Sequence, residues 1–398
     1  MKIRYLPFLL FLLFFSCACR KKPVIREVII DESLFHTIQI DPSENQNTWN
    51  KISDIAESIS FIPLYTSDDV LVGEITKMII WNDCFYIWDR ITETVFCFDS
   101  EGQFVNKINK RGLGPGEYPR IYDFTIDRTN GNICIYSDEG QGIYEYANDG
   151  TFIKKIPVKL SFYSFAVKNE DTLFYYCGKS INSDHFRSTF PEQYRYLVMN
   201  NNEVINQQLP YTYRESHKMI PSSKDVFTCY NDTILMAEHL TGEIYSIDGN
   251  NQLTPRYRIE FLTNTYHFSF EKEVDMKQMN SADQSGNWAN LHGSFYETDR
   301  YIFFNYARSL IGLAYVNKQD NSIHNLAYFI LDDFNELGVP PSLLFVDEDY
   351  IYTEVEPGSL IQNIKKKGEK ASLALQDLGA KITETDNPVI EKIKLKQP

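Results

Sequence analysis

The sequence has no CxxC, HExxH, HxH or GxSxG pattern. At the level of motifs this excludes zinc and thioredoxin-like centres, zincin metalloproteases and nucleophile-elbow hydrolases. No DxDxDG loop occurs, so no dedicated calcium loop is present. After the first fifteen residues no apolar run approaches the roughly 18 residues needed to cross a bilayer. A basic stripe is also missing. The formal charge is −15, which repels nucleic acid. Alanine is scarce, whereas there are 26 Tyr and 27 Phe, a composition that suits pleated sheet better than helix. The seven histidines (His36, His185, His217, His239, His267, His292 and His324) are scattered.

What is present begins with an address. Lys2 and Arg4 precede an almost unbroken apolar stretch, Leu6–Phe15, too short to span a membrane. It stops at Ser16-Cys17, and polar Arg-Lys-Lys-Pro follows shortly. A small residue before Cys at the end of such a segment is what lipoprotein signal peptidase cuts. Cys17 is therefore the expected lipidation site, with Cys19 a weaker second and an ordinary secretory signal the plain alternative. Acylation would make the mature chain of about 380 residues anchored rather than spanning. The remaining cysteines are Cys84, Cys97, Cys134, Cys177 and Cys229. Cys84 and Cys97 lie symmetrically about Arg90–Ile91, so an oxidising compartment allows a disulfide there. Separate buried thiols are the expectation adopted.

The chain repeats itself. Residues 85–108 align without a gap on 133–156, an offset of 48. Each unit reads as strand, loop, strand, tight turn and strand, and Gly102 and Gly150 supply the turns. A period in the forties with several strands per unit marks a β-propeller. Looser units begin at FYSFAV, DVFTCY, GSFYET and LLFVD. The third carries a long insertion at 179–193, and residues 359–384 read as partly helical. SISFIPLYT (58–66) has no unit of its own and is predicted to complete the last blade beside PVIEKIKLK (388–396). Joining the two ends of the chain removes open sheet edges. The expected fold is thus all-β, a six-bladed propeller closed by N- and C-terminal strands. The expected organisation is a signal peptide at 1–17, a tether with short elements at 18–57, and the propeller at 58–398.

KRGLGPGEYPR (110–120) falls between the first two units. Its glycines and proline suit a connection that turns back toward the axis. A phosphate-binding reading fails, because neither Lys-Ser/Thr nor a helix follows.

On these residues the chain resembles the six-bladed β-propeller lipoproteins common in Bacteroidetes, which are related to NHL-repeat propellers. The pieces that match are the lipoprotein-like start, FIPLYTSDDVLVGEITKM (61–78), GLGPGEY (112–118) with DFTID (123–127), and DNPVIEKIKLK (386–396). The resemblance covers nearly all of the mature chain. It implies the fold and an envelope location on the outer membrane, facing the periplasm or the surface. It carries no catalytic residues. The third unit departs through its insertion, and the fourth and fifth through fewer turn glycines.

Propeller topology places the blade-to-blade connections and the loops between second and third strands on one face. Arg111, Glu117, Tyr118 and Arg120 should share it with Asp89, Asp138, Glu238 and Glu354, and Lys179 and Arg308 stand at similar places. These acids would ring the channel mouth and suit Ca²⁺ weakly, or a sugar or peptide alongside Trp88 and Tyr118. The plain alternative is strands ending in water. His239, next to Glu238, is the one histidine placed on this face. No cofactor and no resident metal are expected. DTL (171–173) and DTI (232–234) match an O-glycosylation acceptor pattern and also make good turns. The favoured function is a binding module for a carbohydrate, peptide or protein. The rival is a glycan hydrolase or lyase that uses the acids above, and a structural envelope subunit is the third reading.

Overall fold

The computed structural model describes residues 30–158, 160–178, 180, 192–201, 203–212, 214 and 225–397. Three short strands come first: β1 (His36–Ile40), β2 (Asn50–Lys51) and β3 (Ala56–Pro63). The first repeat unit forms β4 (Ile75–Trp81), β5 (Cys84–Asp89), β6 (Thr94–Asp99) and β7 (Phe104–Ile108). The second forms β8 (Asp123–Ile126), β9 (Ile133–Ser137), β10 (Gly142–Tyr146) and β11 (Phe152–Pro157). The third gives β12 (Ser164–Asn169), β13 (Thr172–Tyr176), β14 (Glu192–Asn200) and β15 (Glu203–Thr212). The fourth gives β16 (Phe227–Tyr230), β17 (Thr233–Glu238), β18 (Glu243–Ile247) and β19 (Leu253–Phe261). Helix α1 (Met276–Gln284) intervenes, and the fifth unit follows as β20 (Asn290–Glu297), β21 (Tyr301–Arg308), β22 (Leu310–Asn317) and β23 (Ser322–Ala327). Next come β24 (Ile330–Asp332), β25 (Leu337–Val339), β26 (Phe345–Val346) and β27 (Tyr350–Val355). The chain ends with α2 (Pro357–Lys367), α3 (Leu373–Lys381) and β28 (Val389–Leu395).

Each repeat unit is an antiparallel meander in sequence order, as the alternation of strands and tight turns dictates. The last unit closes head to tail in the order β26-β27-β28-β3. Val389 stands opposite Pro63, and the ladder runs on to Leu395 opposite Ala56. The expected pairing of the two chain ends is therefore present.

Apolar clusters join each unit to the next. Tyr86, Trp88 and Ile108 of the first unit pack with Phe124, Ile135 and Tyr146 of the second. Comparable clusters link the second to the third, the third to the fourth and the fourth to the fifth. The ring shuts where Tyr352 and Ile390 of the last sheet meet Ile75, Met78, Phe85 and Phe98 of the first. The fold is a β-propeller, with packing between sheet faces as its core. The strands β4, β8, β12, β16, β20 and β26 line a narrow axial channel of about 90 Å³.

The expected count of six is one short, because the strands form seven sheets. The additional sheet has three strands in the order β2-β24-β25. Ile52, Ile330 and Val339 wedge it into the cluster shared by the fifth and last sheets. Its strands are only two or three residues long, below what a periodic pattern can reveal. The stretch expected as a tether is, from His36 onward, packed against the propeller. Strand β1 adds to the fourth sheet in parallel with β19. The side chain of Asn325 holds the next turn by donating to the carbonyls of Asp41 and Glu44. The insertion at 179–193 lies almost wholly outside the described residues.

The five cysteines beyond the signal are free thiols. Cys84 pairs with Asp99 and Cys97 with Tyr86, so the two cysteines sit diagonally rather than opposite one another. Burial, with Cys84 nearby, pushes the Cys97 thiol up to about 12. DTL and DTI lie at the starts of β13 and β17, and the turn into DTI has positive φ at Asn231 and Asp232.

One polar patch is sealed inside the additional interface. Glu391 on β28 and Asp332 on β24 are both fully buried. The Thr353 hydroxyl donates to Glu391 at 2.8 Å, and the N–H groups of Phe334 and Asn335 donate to Asp332. One oxygen of each carboxyl has no partner. Burial, reinforced by Asp332, raises Glu391 from 4.5 to about 8. The folded protein thus holds a proton that the unfolded chain releases once the pH exceeds 4.5. Stability from this group is complete below that value and falls as the pH rises toward about 8. Glu391→Gln should flatten the pH dependence of unfolding free energy across this window, measured by urea titration at several pH values. Equal slopes for the variant and the parent would refute the assignment.

Candidate functional site

The meander direction puts two kinds of connection at one end of every unit. These are the turn between second and third strands and the crossover to the next unit. KRGLGPGEYPR is the crossover from β7 to β8. Tyr118 is fully buried, and its hydroxyl lies 3.0 Å from the carbonyls of Ile108 and Glu93. It pins the loop and is not open to a ligand. Glu117 folds back to accept from the N–H of Gly114 at 2.8 Å. Gly116 has φ +75°, and a Cβ there would strike the Phe152 ring. Arg111 is exposed, and Arg120 lies 3.5 Å from Glu93. The loop is a self-braced bend.

Three of the acids expected around the channel mouth, Asp89, Asp138 and Glu238, are held by local partners. Asp89 is fully buried and accepts from the N–H groups of Glu74 and Ile91, both at 3.0 Å, and from the Thr92 hydroxyl at 2.6 Å. It organises its own turn. Asp138 is exposed and accepts from the hydroxyls of Tyr136 at 2.8 Å and Ser161 at 3.1 Å. Glu238 is fully buried between the Arg195 guanidinium at 2.6 Å and the Tyr176 hydroxyl at 2.7 Å. Burial raises its pKa against the pull of Arg195. Glu354 is half-buried. Burial, then Glu356 and Glu74, raises it to about 7. No donor is shared between any two of these four acids. Arg308 holds the carbonyls of Gly286 and Pro42, and Lys179 lies outside the described residues. Among the described residues, no group of three or more His, Cys, Asp or Glu is placed to hold a metal ion.

His239 and Glu238 do not form the expected acid–base pair. His239 is buried and donates from Nε2 to the Gly293 carbonyl at 2.5 Å. A carbonyl only accepts, so the proton sits on Nε2. Burial depresses the imidazole to about 4, and it is neutral at pH 7.

Sequence reasoning missed a large concavity. A cavity of about 870 Å³ opens at the end of the fourth sheet, where His239–Glu243 turn between β17 and β18. Its floor is built from two ion pairs. Arg195–Glu238 is one. In the other, Arg258 donates to Glu243 at 2.9 Å, and Glu243 also accepts from the Tyr245 hydroxyl at 2.7 Å and Thr241 at 3.1 Å. The wall comes from the long connection 262–289, which supplies Tyr266, Phe268, Phe270 and Trp288.

That connection is an ordered loop. Asn264 closes its base by donating to the Ala289 carbonyl at 2.8 Å and accepting from the Ala289 N–H at 2.6 Å. Asp275 caps α1 by accepting from the N–H groups of Lys277 and Gln278. Val274 and Met279 gather Leu240, Tyr266, Phe268, Met276 and Trp288 around them. Phe270 sits 4.0 Å from the Arg195 guanidinium. A connection this long, carrying four aromatic rings, was the available signal, since connections beyond about 15 residues are usually functional.

Comparisons with known proteins agree with the architecture. A protein of Bacteroides fragilis, thought to be exported, superposes with a TM-score of 0.66 at 16% identity, covering 91% of this chain and all of its own. A member of the DUF4221 family from Bacteroides vulgatus superposes at 0.50 with 12% identity, covering 86% of this chain and 97% of its own. At such identities these likenesses concern the fold alone. The expected kinship with NHL repeats draws no support from them. A search of curated proteins gave no match. Residues 35–394 match one family model, and the chain accordingly belongs to the family described as Domain of unknown function (DUF4934).

Proposed function

We propose that this protein is an exported, lipid-anchored binding module that holds a carbohydrate or peptide in the cavity at the fourth sheet. The cavity itself carries the reading. About 870 Å³ lies within the usual range for small-ligand sites, and its lining mixes aromatic surface with fixed polar groups. The protein offers no comparable room on the axis, where the channel measures about 90 Å³. A rigid scaffold bearing an elaborated loop is the form binding sites commonly take. The address rests on the Cys17 signal, which lies outside the described residues. Among the described residues no helix is long and apolar enough to cross a membrane.

One observation favours catalysis as a second reading. Glu354, at about 7, keeps its proton near neutral pH and stands near two further carboxylates. A glycan-acting hydrolase would use such a group as general acid.

A glycan and peptide array should yield ligands whose affinity falls about tenfold or more in Trp288→Ala. Binding that is indifferent to Trp288 and Phe268 would remove the cavity as the site. Cys17→Ala should stop incorporation of labelled palmitate and move the protein from the membrane to the soluble fraction; an unchanged distribution would argue against the anchor. If the second reading holds, some polysaccharide will be turned over below about pH 7 and Glu354→Gln will abolish it. Turnover that survives the substitution would dispose of Glu354 as the acid.

A further inference from the structure

We infer that the cavity at the fourth sheet takes a neutral, polyhydroxylated ligand, a short uncharged saccharide, in preference to an acidic sugar or a peptide; this rests on the binding reading above. The floor arginines are already committed to carboxylates, Arg258 to Glu32 at 3.1 Å as well as to Glu243. Arg195 is committed to Glu238 at 2.6 Å and Arg258 to Glu243 at 2.9 Å, and tyrosine hydroxyls donate to both glutamates. A ligand carboxylate that captured either arginine would strand a glutamate in a largely dry place, which is strongly unfavourable. A ligand ammonium that captured a glutamate would strand an arginine in the same way.

The floor still has a donor to offer. Arg195 is 7% exposed and lines the cavity; its Nε–H is itself buried beside Phe270 and has no partner among the described residues. An uncharged ligand oxygen that displaces this cover can accept that hydrogen bond without disturbing the pair with Glu238. Glu260 and Glu271 stand exposed at the cavity. They can accept from hydroxyls and they repel uronates, as does the chain's net charge of −15. Half-buried Tyr266, Phe268 and Trp288 supply flat apolar surface for the C–H faces of a sugar ring.

An extended peptide commonly gains affinity by adding a strand to an open sheet edge. Strand β19, which lines the cavity, has both edges taken, by β18 and by β1. Side chains dominate what is left.

Isothermal titration of the full mature protein decides the matter, with cellobiose, maltose, xylobiose and mannobiose as neutral probes. Digalacturonate and a mixed hexapeptide pool serve as charged and peptide probes. At least one neutral disaccharide should bind saturably and lose about tenfold or more in Trp288→Ala. Arg195→Lys, which keeps the charge but removes Nε, should weaken it as well. Phe268→Ala replaces Trp288→Ala if the latter fails to fold. Trp288-dependent binding of digalacturonate or peptide above every neutral probe overturns the ligand class and leaves the cavity reading intact. Absence of Trp288-dependent binding by any probe overturns both.

Discussion

The antiparallel ladder between β3 and β28 is the constraint on which the rest depends. The first, second, third and fifth units are contiguous in sequence and can form their own sheets. The last has only β26 and β27 before the helices α2 and α3 intervene. It becomes four-stranded when β28 returns and β3, some 330 residues earlier, joins it. That ladder brings Ile390 and Ile62 against the first sheet and lets the apolar clusters run round the ring without a gap. An open ring would expose two sheet faces and two edges, a liability that propellers avoid by closure. Closure also fixes the crossovers and turns at one end.

Function is then a matter of which end has room. The inner strands send Phe165, Phe227, Phe345, Trp81 and Tyr296 toward the axis, and little space remains there. Space appears instead where the chain departs from the repeat, between β19 and β20. The connection there carries its own small core and a capped helix, so its rings are held in place before any ligand arrives. Beneath it Arg195 pairs with Glu238 from the third sheet to the fourth, and Arg258 with Glu243 across neighbouring strands. The electrostatic expense of burying them is met within the protein, while Glu260 and Glu271 stay exposed at the cavity.

Much of this was legible in the sequence. The offset of 48 recurs in the strands themselves, as Thr94 to Gly142 and Phe104 to Phe152 show. Period-two patterns and turn glycines carry that information locally. The closing strand was legible because 58–66 was apolar and unclaimed. The additional sheet was not, since Asn50–Lys51 and Ile330–Asp332 are too short to show a period. Nor was β1, whose parallel pairing with β19 spans more than two hundred residues. The acids misled for a physical reason. A carboxylate at a strand end can serve a ligand or its own turn, and only geometry reveals that Asp89 and Glu238 serve the protein. Nothing in the sequence singles out Arg195, because its burial against Phe270 has no local signature.

Native-state hydrogen exchange on the intact chain tests the closure most directly. If the terminal ladder holds the ring together, the amides of Ile59, Phe61, Ile390 and Ile393 will exchange only through global unfolding. Their protection will match that of Phe96 and Ile135 in the first two sheets. Exchange of the β3 and β28 amides by a separate, lower-energy opening, with the other sheets still protected, would contradict the account.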